Sequence, residues 1–598
     1  MTARLKFSLV ATLWSLVSFL HLAECVILRS SAPSATVKNG TYVGKYVAEW
    51  QQDQFLGIPF AIPPLGPLRF AWPRSVNSSF AGTRDATQYG YSCMQYGTNF
   101  SLSEDCLTLN VIRPSGTTSD DKLPVLVWIY GGGLYAGSSA DPQYNVSGIA
   151  HVGQEIGKPV IVASINYRLG VWGFLQTPQI LAEGSSNAGL LDQRLALRWI
   201  KENIAAFGGD PDRITIWGES AGAQSIALHL HSYDGRDDDL FHAAIMESGS
   251  QIGAFLQPLA YYTSPVENLT RTTNCWTASN RLACLRNLTQ DELFKSQVSQ
   301  TWNPIASTFM SDSFGHCNFL PLYCTKARLT NTQLDGDFLT AYPSTLSAEG
   351  KFIHIPLLTG ANSDEGTSFG VSGLDNETAI FNNLLIYRNY AISPPTARKL
   401  LELYPNDPAH EPPYYITNAT IFPSKGLQWR RDCAIAGDIV MISGRRKVCE
   451  EYTKGGMSVF SYRFDTPLWN GAATAGAQHF VNVVFSFRKS SAETASSLLL
   501  SSIPNTLPEN ISGALGPLPK YQNYTNLSHN IGKAYISFVN DQNPNTSRGN
   551  STLPYWPKYD LDAPKNMVLN SNLTYVEDDT FRKEGIAFIN TIDRELLA

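Results

Sequence analysis

The residues Ile214-Thr215-Ile216-Trp217 form a short apolar run that meets Gly218-Glu219-Ser220-Ala221-Gly222, and Ala223 to Leu228 then reads as a helix. A strand, a sharp turn and a helix are the setting in which a G-x-S-x-G pentapeptide lifts a serine hydroxyl above the end of a sheet. So tight a turn demands small neighbours, and Gly218, Ala221 and Gly222 meet that demand. The pentapeptide without its flanks is a weak signal, because glycine and serine are common. With them, Ser220 is a candidate nucleophile, and the alternative is a plain Gly-Ser turn.

The rest of the chain repeats that alternation. Val125 to Tyr130, Val160 to Ile165 and Ala243 to Ser248 are apolar runs of the kind parallel strands show when covered on both faces. Leu191, Leu195 and Trp199 recur at helical spacing within Leu190 to Asn203. The strand series resumes at Ile355 to Leu358 and at Val459 to Phe464, with a helix around Trp429 to Glu451 between them. This predicts an α/β fold with a large, mostly parallel central sheet flanked by helices, and ligands at the carboxyl ends of its strands. Phe55 to Pro64 is too rich in proline for a central strand and is expected as an extended surface wrap. Gln251 to Gly350 is expected as a helical insertion over the sheet, and Pro504 to Asn572, with six sequons, as largely surface.

Arg4 and Lys6, the apolar stretch Phe7 to Leu20 and the small-residue exit Ala23-Glu24-Cys25 predict a signal peptide over residues 1–25, leaving one catalytic domain over 26–598. An uncleaved anchor is the rival reading. Fourteen N-x-S/T sequons agree with export: Asn39, Asn77, Asn99, Asn145, Asn268, Asn287, Asn376, Asn418, Asn510, Asn523, Asn526, Asn545, Asn550 and Asn572. Of nine cysteines, cleavage after Cys25 leaves eight, an even number suited to disulfides. A net charge of −6 gives no basic field for nucleic acid, and no later stretch is apolar enough for stable membrane insertion.

A serine hydroxyl needs a base, and the base needs a carboxylate that fixes its tautomer. When the acid and then the histidine follow the serine, the candidates narrow to His410, His479 and His529. His410 lies in a proline-bracketed loop and His529 among sequons before a helix, whereas His479 lies in a glycine-rich loop after a strand. His479 is the expected base. Asp364 and Glu365 both stand just beyond a strand, and spacing does not separate them. The oxyanion donors are expected from Ala221, at the start of the elbow helix, and from Gly132 and Gly133 after Val125–Tyr130.

Together these motifs resemble the type-B carboxylesterases, a family of the α/β-hydrolase fold that includes fungal secreted lipases and cholinesterases. The resemblance rests on Phe207 to Gly222, on Glu104-Asp105-Cys106-Leu107-Thr108-Leu109-Asn110, and on blocks at Gly57-Ile58-Pro59, Tyr130 to Gly133, Asn166-Tyr167-Arg168, Asp192-Gln193, Ser248-Gly249-Ser250 and Asp364-Glu365-Gly366. It implies Glu365 as the triad acid beside Ser220 and His479, an oxyanion hole from Gly132, Gly133 and Ala221, and disulfides Cys93–Cys106 and Cys275–Cys284. Cys317, Cys324, Cys433 and Cys449 stay unassigned. Cys433 and Cys449 are about 24 Å apart on one straight helix, so either that helix breaks near Gly444 or they pair with Cys317 and Cys324.

Departures from the family narrow the substrate. The lipases carry a long lid in the first disulfide loop, but Met94 to Asp105 is only twelve residues and holds no tryptophan for a choline group. Leu134 stands where the family usually has an aromatic. The expectation is a secreted, glycosylated serine carboxylesterase acting on small-molecule esters, without metal or cofactor and with its oligomeric state open. The alternatives are a lipase or sterol esterase, and a non-catalytic adhesion protein of the same fold.

Overall fold

The computed structural model describes residues 32–596 except 97–99, 252–255, 257–258, 297–334, 391, 417–421, 470, 489–520 and 548–551. The expected signal segment, Cys317, Cys324, and the sequons at Asn99, Asn418, Asn510 and Asn550 lie outside the described residues.

The strands are β1 (Ser34–Val37), β2 (Gly40–Val43), β3 (Lys45–Val47), β4 (Gln52–Pro59), β5 (Thr83–Asp85), β6 (Thr108–Pro114), β7 (Leu123–Ile129), β8 (Ile161–Ile165), β9 (Gly209–Glu219), β10 (Ala243–Glu247), β11 (Leu357–Asn362), β12 (Val459–Phe464), β13 (Lys565–Leu569) and β14 (Tyr575–Asp578). β1, β2 and β5 make a small sheet, and the other eleven join in the order β14-β13-β12-β11-β10-β9-β7-β8-β6-β4-β3. Every pair from β8 to β13 is parallel, and the two margins are antiparallel. The expected mostly parallel sheet is therefore present, and the predicted central runs all fall on its strands. Its middle is dry: Val125, Val127, Ile161, Ile214, Ile216, Ile245 and Leu358 have no exposed surface. Trp128 and Trp217, neighbours in register, meet edge to face at 4.4 Å.

Four local expectations need correction. Phe55 to Ile58 is not a surface wrap but part of β4, with Phe55 and Ile58 fully buried. Its prolines fall at the end of the strand, and Gly57 at φ 69° absorbs the register break before Ile58. The helix Ala188–Asn203 turns Leu190, Leu197 and Ile200 into the core, so Leu191 and Leu195 form only its half-buried flank. Pro504 to Asn572 holds core as well as surface. The helix Gln522–Asp541 buries Leu527, Ile531, Ala534 and Phe538 at helical spacing, includes His529, and is followed by buried β13. Finally, Cys93–Cys106 and Cys275–Cys284 are bonded, but Cys433 and Cys449 are free, buried thiols. No break separates those two at Gly444: helical turns run from Trp429 to Lys454, with a π-type segment at Asp438–Ile442.

Candidate active site

The serine turn is made by close approach of neighbouring strands. β9 ends at Glu219 and the helix Ala221–Gly235 begins at the next residue but one, so Ser220 alone reverses the chain, at φ 55° and ψ −124°. That region costs a residue with a side chain about 1–3 kcal/mol. The Ser220 backbone N–H donates to the Glu247 carbonyl at the end of β10 (2.9 Å). The small residues have steric reasons. A Cβ on Gly222 would lie 2.1 Å from the Ile129 carbonyl oxygen, and one on Gly249 would lie 2.4 Å from the Ser220 carbonyl oxygen. The Ser248-Gly249-Ser250 block is thus the floor beneath the turn.

Ser220 Oγ lies 2.8 Å from His479 Nε2, and His479 Nδ1 lies 2.7 Å from Glu365 Oε2. With the Nδ1 proton held by the carboxylate, Nε2 is the acceptor for the serine O–H. The other Glu365 oxygen accepts from the Asn362 backbone N–H (2.7 Å). Glu365 follows β11 and His479 follows β12, so two adjacent parallel strands deliver the pair. A Cβ on Gly366 would sit 1.7 Å from the Cys433 carbonyl oxygen, which is why the turn after Glu365 needs glycine. The other histidines stand elsewhere. His410 is exposed beside Asp407 (2.7 Å), and His529 lies 3.3 Å from Glu155.

Asp364, the rival acid, faces away from the imidazole. Its Oδ2 accepts from the Ala477 N–H (2.7 Å) and its Oδ1 from the Tyr414 N–H (2.8 Å). Burial pushes its pKa up to about 7. The two neighbouring carboxylates therefore divide the work: Glu365 holds the ring, and Asp364 holds the backbone two residues ahead of it.

Gly132 and Gly133, at φ 83° and 61°, turn the chain after β7 across the serine. A Cβ on the preceding Gly131 would lie 2.9 Å from Ser220 Cβ. Ala221 is the first helical residue, so its N–H has no acceptor within the helix. Leu134 is buried at φ 61°, and its carbonyl accepts from the Gly170 N–H (2.9 Å). In the first disulfide loop the Gln95 side chain exchanges hydrogen bonds with both backbone groups of Gly137, and Tyr96 stacks on Phe294 at 4.6 Å.

Sequence reasoning passed over Glu219, Glu247, Asn362 and Asn482. Glu219, Glu247 and Glu365 are all fully buried within one cluster. Neither Glu219 oxygen has a hydrogen-bond partner among the described residues, and Oε1 lies 3.5 Å from His479 Nε2. Burial, then the charges of Glu365 and Glu247, push its pKa well above the usual carboxylate range. Asn362 Nδ2 donates to the Gln478 carbonyl (2.7 Å) and to Asn482 Oδ1 (3.0 Å), bracketing His479. The available signal was positional: Asn482 stands three residues after the histidine, and Glu247 just before Ser248-Gly249. Other motif residues support the scaffold. Arg168 clasps Asp192 with two guanidinium bonds (2.8 and 2.7 Å), and Arg69 clasps Glu104 likewise (2.7 and 2.6 Å).

Comparison with known proteins adds an independent line. The carboxylesterase family profile matches residues 31–589. Lipase 4 of Diutina rugosa is 34% identical, over 94% of this chain and 96% of its own. Secreted lipase 1 of Botryotinia fuckeliana is 33% identical, over 87% of this chain and 92% of its own. Among solved structures, Aspergillus niger EstA superposes with a TM-score of 0.74 at 26% identity, covering 95% of this chain and 99% of that one.

Proposed function

Since the chain belongs to the carboxylesterase family and is a carboxylic ester hydrolase, we propose that it acts through an acyl-enzyme on Ser220, with His479 as base and Glu365 as the acid that orients it. The observation behind this reading is the unbroken relay from Ser220 Oγ to Nε2 (2.8 Å) and from Nδ1 to Glu365 (2.7 Å). Ser220 Oγ attacks the ester carbonyl while His479 takes its proton and passes it to the departing alcohol. Water then enters on the same face, activated by the same imidazole, and releases the acid. The tetrahedral oxyanion of each step is held by backbone N–H groups of Gly132, Gly133 and Ala221, each worth about 3 kcal/mol. Glu365 keeps the imidazole in the tautomer that accepts from serine.

The substrate reading is small or soluble esters, handled outside the cell by a glycosylated enzyme. The twelve-residue first disulfide loop, held by Gln95 and Tyr96, is the support for a site without a moving lid. The relatives named as lipases favour a second reading, that the esters are lipids. One experiment addresses both. Ser220→Ala should lower kcat for p-nitrophenyl butyrate by at least about 10⁴-fold, and the parent enzyme should show no jump in rate as tributyrin passes its solubility limit. Unchanged hydrolysis by the variant would remove Ser220 from the mechanism, and a sharp jump at the limit would make the enzyme a lidded lipase.

A further inference from the structure

Glu247 is the most heavily hydrogen-bonded side chain near the site, and the mechanism above does not use it. Five neutral donors converge on its carboxylate: Trp217 Nε1, Asn482 Nδ2 (2.8 Å), Ser486 Oγ (3.0 Å), Tyr535 O–H (3.0 Å) and Tyr462 O–H (3.1 Å). They come from β9, from the segment after His479, from the helix Gln522–Asp541 and from β12. Burial raises the pKa of Glu247, and the hydrogen bonds of this cage pull it back toward the anion. In the parallel register of β9 and β10, Glu247 stands directly beside Glu219. Glu219 has the opposite surroundings, fully buried with both oxygens lacking a partner among the described residues. The titratable groups facing Glu219 are Glu247, Glu365, His479 and Tyr144, and only the imidazole can become a cation.

Resting on the triad reading above, we propose that Glu247 is a positioning residue for His479, anchoring its loop through Asn482 and helping to keep Glu219 uncharged beside the imidazole. The anchoring is continuous: Glu247 accepts from Asn482, Asn482 accepts from Asn362, and the Asn362 backbone N–H donates to Glu365. The electrostatic part follows from distance. An ionised Glu219, 3.5 Å from Nε2, stabilises the imidazolium before the ester arrives and so withdraws the base from Ser220. Negative charge on Glu247, next to it on β10, adds to burial and Glu365 in opposing that ionisation.

The test is the acidic limb of the kcat/KM–pH profile, which reports protonation of the free enzyme's base. In Glu247→Gln one of the two charges that add to burial in opposing ionisation of Glu219 is gone, so Glu219 releases its proton more readily and the limb moves to higher pH, by about half a unit or more. The direct loss of the Glu247 charge acts the other way, but Glu219 is the nearer group to Nε2. Glu247→Asp keeps the charge, so its limb stays at the parent position even though its rate falls. Glu219→Gln, in which nothing can ionise, also leaves the limb in place, and the double variant E219Q/E247Q shows no upward shift. A merely structural Glu247 lowers the rate of E247Q with the limb unmoved, which would overturn the proposal. A downward shift in E219Q alone also overturns it, because Glu219 is then charged in the parent, and that variant serves if E247Q does not fold. The triad reading fails separately, through an active Ser220→Ala or His479→Ala.

Discussion

Gly222→Ala adds one methyl group at the most crowded point of the serine turn. Its Cβ would lie 2.1 Å from the Ile129 carbonyl oxygen, where a carbon–oxygen contact settles at about 3.3 Å, so the two backbones must part by about 1.2 Å. The obstacle is backbone on both sides, and no side chain can swing away. Ile129 ends β7 and leads straight into Gly131, Gly132 and Gly133, while Gly222 directly follows Ala221. The wedge therefore widens the gap between the two halves of the proposed oxyanion hole and leaves the Ser220–His479 pair in place. Losing one aligned donor raises the barrier by about 3 kcal/mol, or about 10²-fold in kcat. The assay is kcat for p-nitrophenyl butyrate per site titrated with a fluorophosphonate, which counts only folded enzyme with a competent serine. A kcat per titrated site within fivefold of the parent would refute the steric argument and the oxyanion assignment that rests on it.

Two further outcomes follow from buried titratable groups. Asp364 has a folded pKa of about 7 against an ordinary 3.8. Between those values the folded state holds a proton that the unfolded chain has released. Its contribution is therefore full below about pH 4 and is lost as pH rises to about 7. In Asp364→Asn the slope of Tm against pH over that window should become less negative than in the parent, and an unchanged slope counts against the burial argument. Cys433 and Cys449 have thiol pKa values raised by burial, that of Cys449 to about 12. Neither should take iodoacetamide in the native enzyme, and both should take it in denaturant without reductant. Labelling that appears only after reduction would show them to be disulfide-bonded.

What the sequence disclosed, and what it hid, follows from the range of the interactions. The serine turn was legible because strand, glycines and helix are contiguous, and their steric demands are met within five residues. The histidine was legible by elimination, since His410 and His529 sit in settings of a different kind. Asp364 and Glu365 are chemically alike and adjacent, and only the packing of the His479 loop gives them different partners. β4 was hidden by its prolines, although these crowd the strand's end, where a missing N–H does no harm. The helix Gln522–Asp541 was hidden by its sequons, although Leu527, Ile531, Ala534 and Phe538 repeat at helical spacing beneath them. Counting cysteines in pairs holds for Cys93–Cys106 and Cys275–Cys284 but not for Cys433 and Cys449, because a buried thiol packs as a small apolar group without needing a partner. Glu247 could not be read at all: its donors lie between residues 217 and 535 and meet only in three dimensions.

The sheet order has a consequence for the making of the protein. β12, which leads to His479, is an interior strand only because β13, about a hundred residues later, pairs along its free side. On that same late stretch Arg582 reaches back to Tyr414 and Asp438. A chain emerging from its N-terminus therefore presents Ser220 and Glu365 long before the strand behind His479 has both neighbours. Until residues 565–582 arrive, β12 is an open edge, exposed to wrong partners. The strand that carries the proposed base is thus completed by a part of the chain that is made about a hundred residues after it.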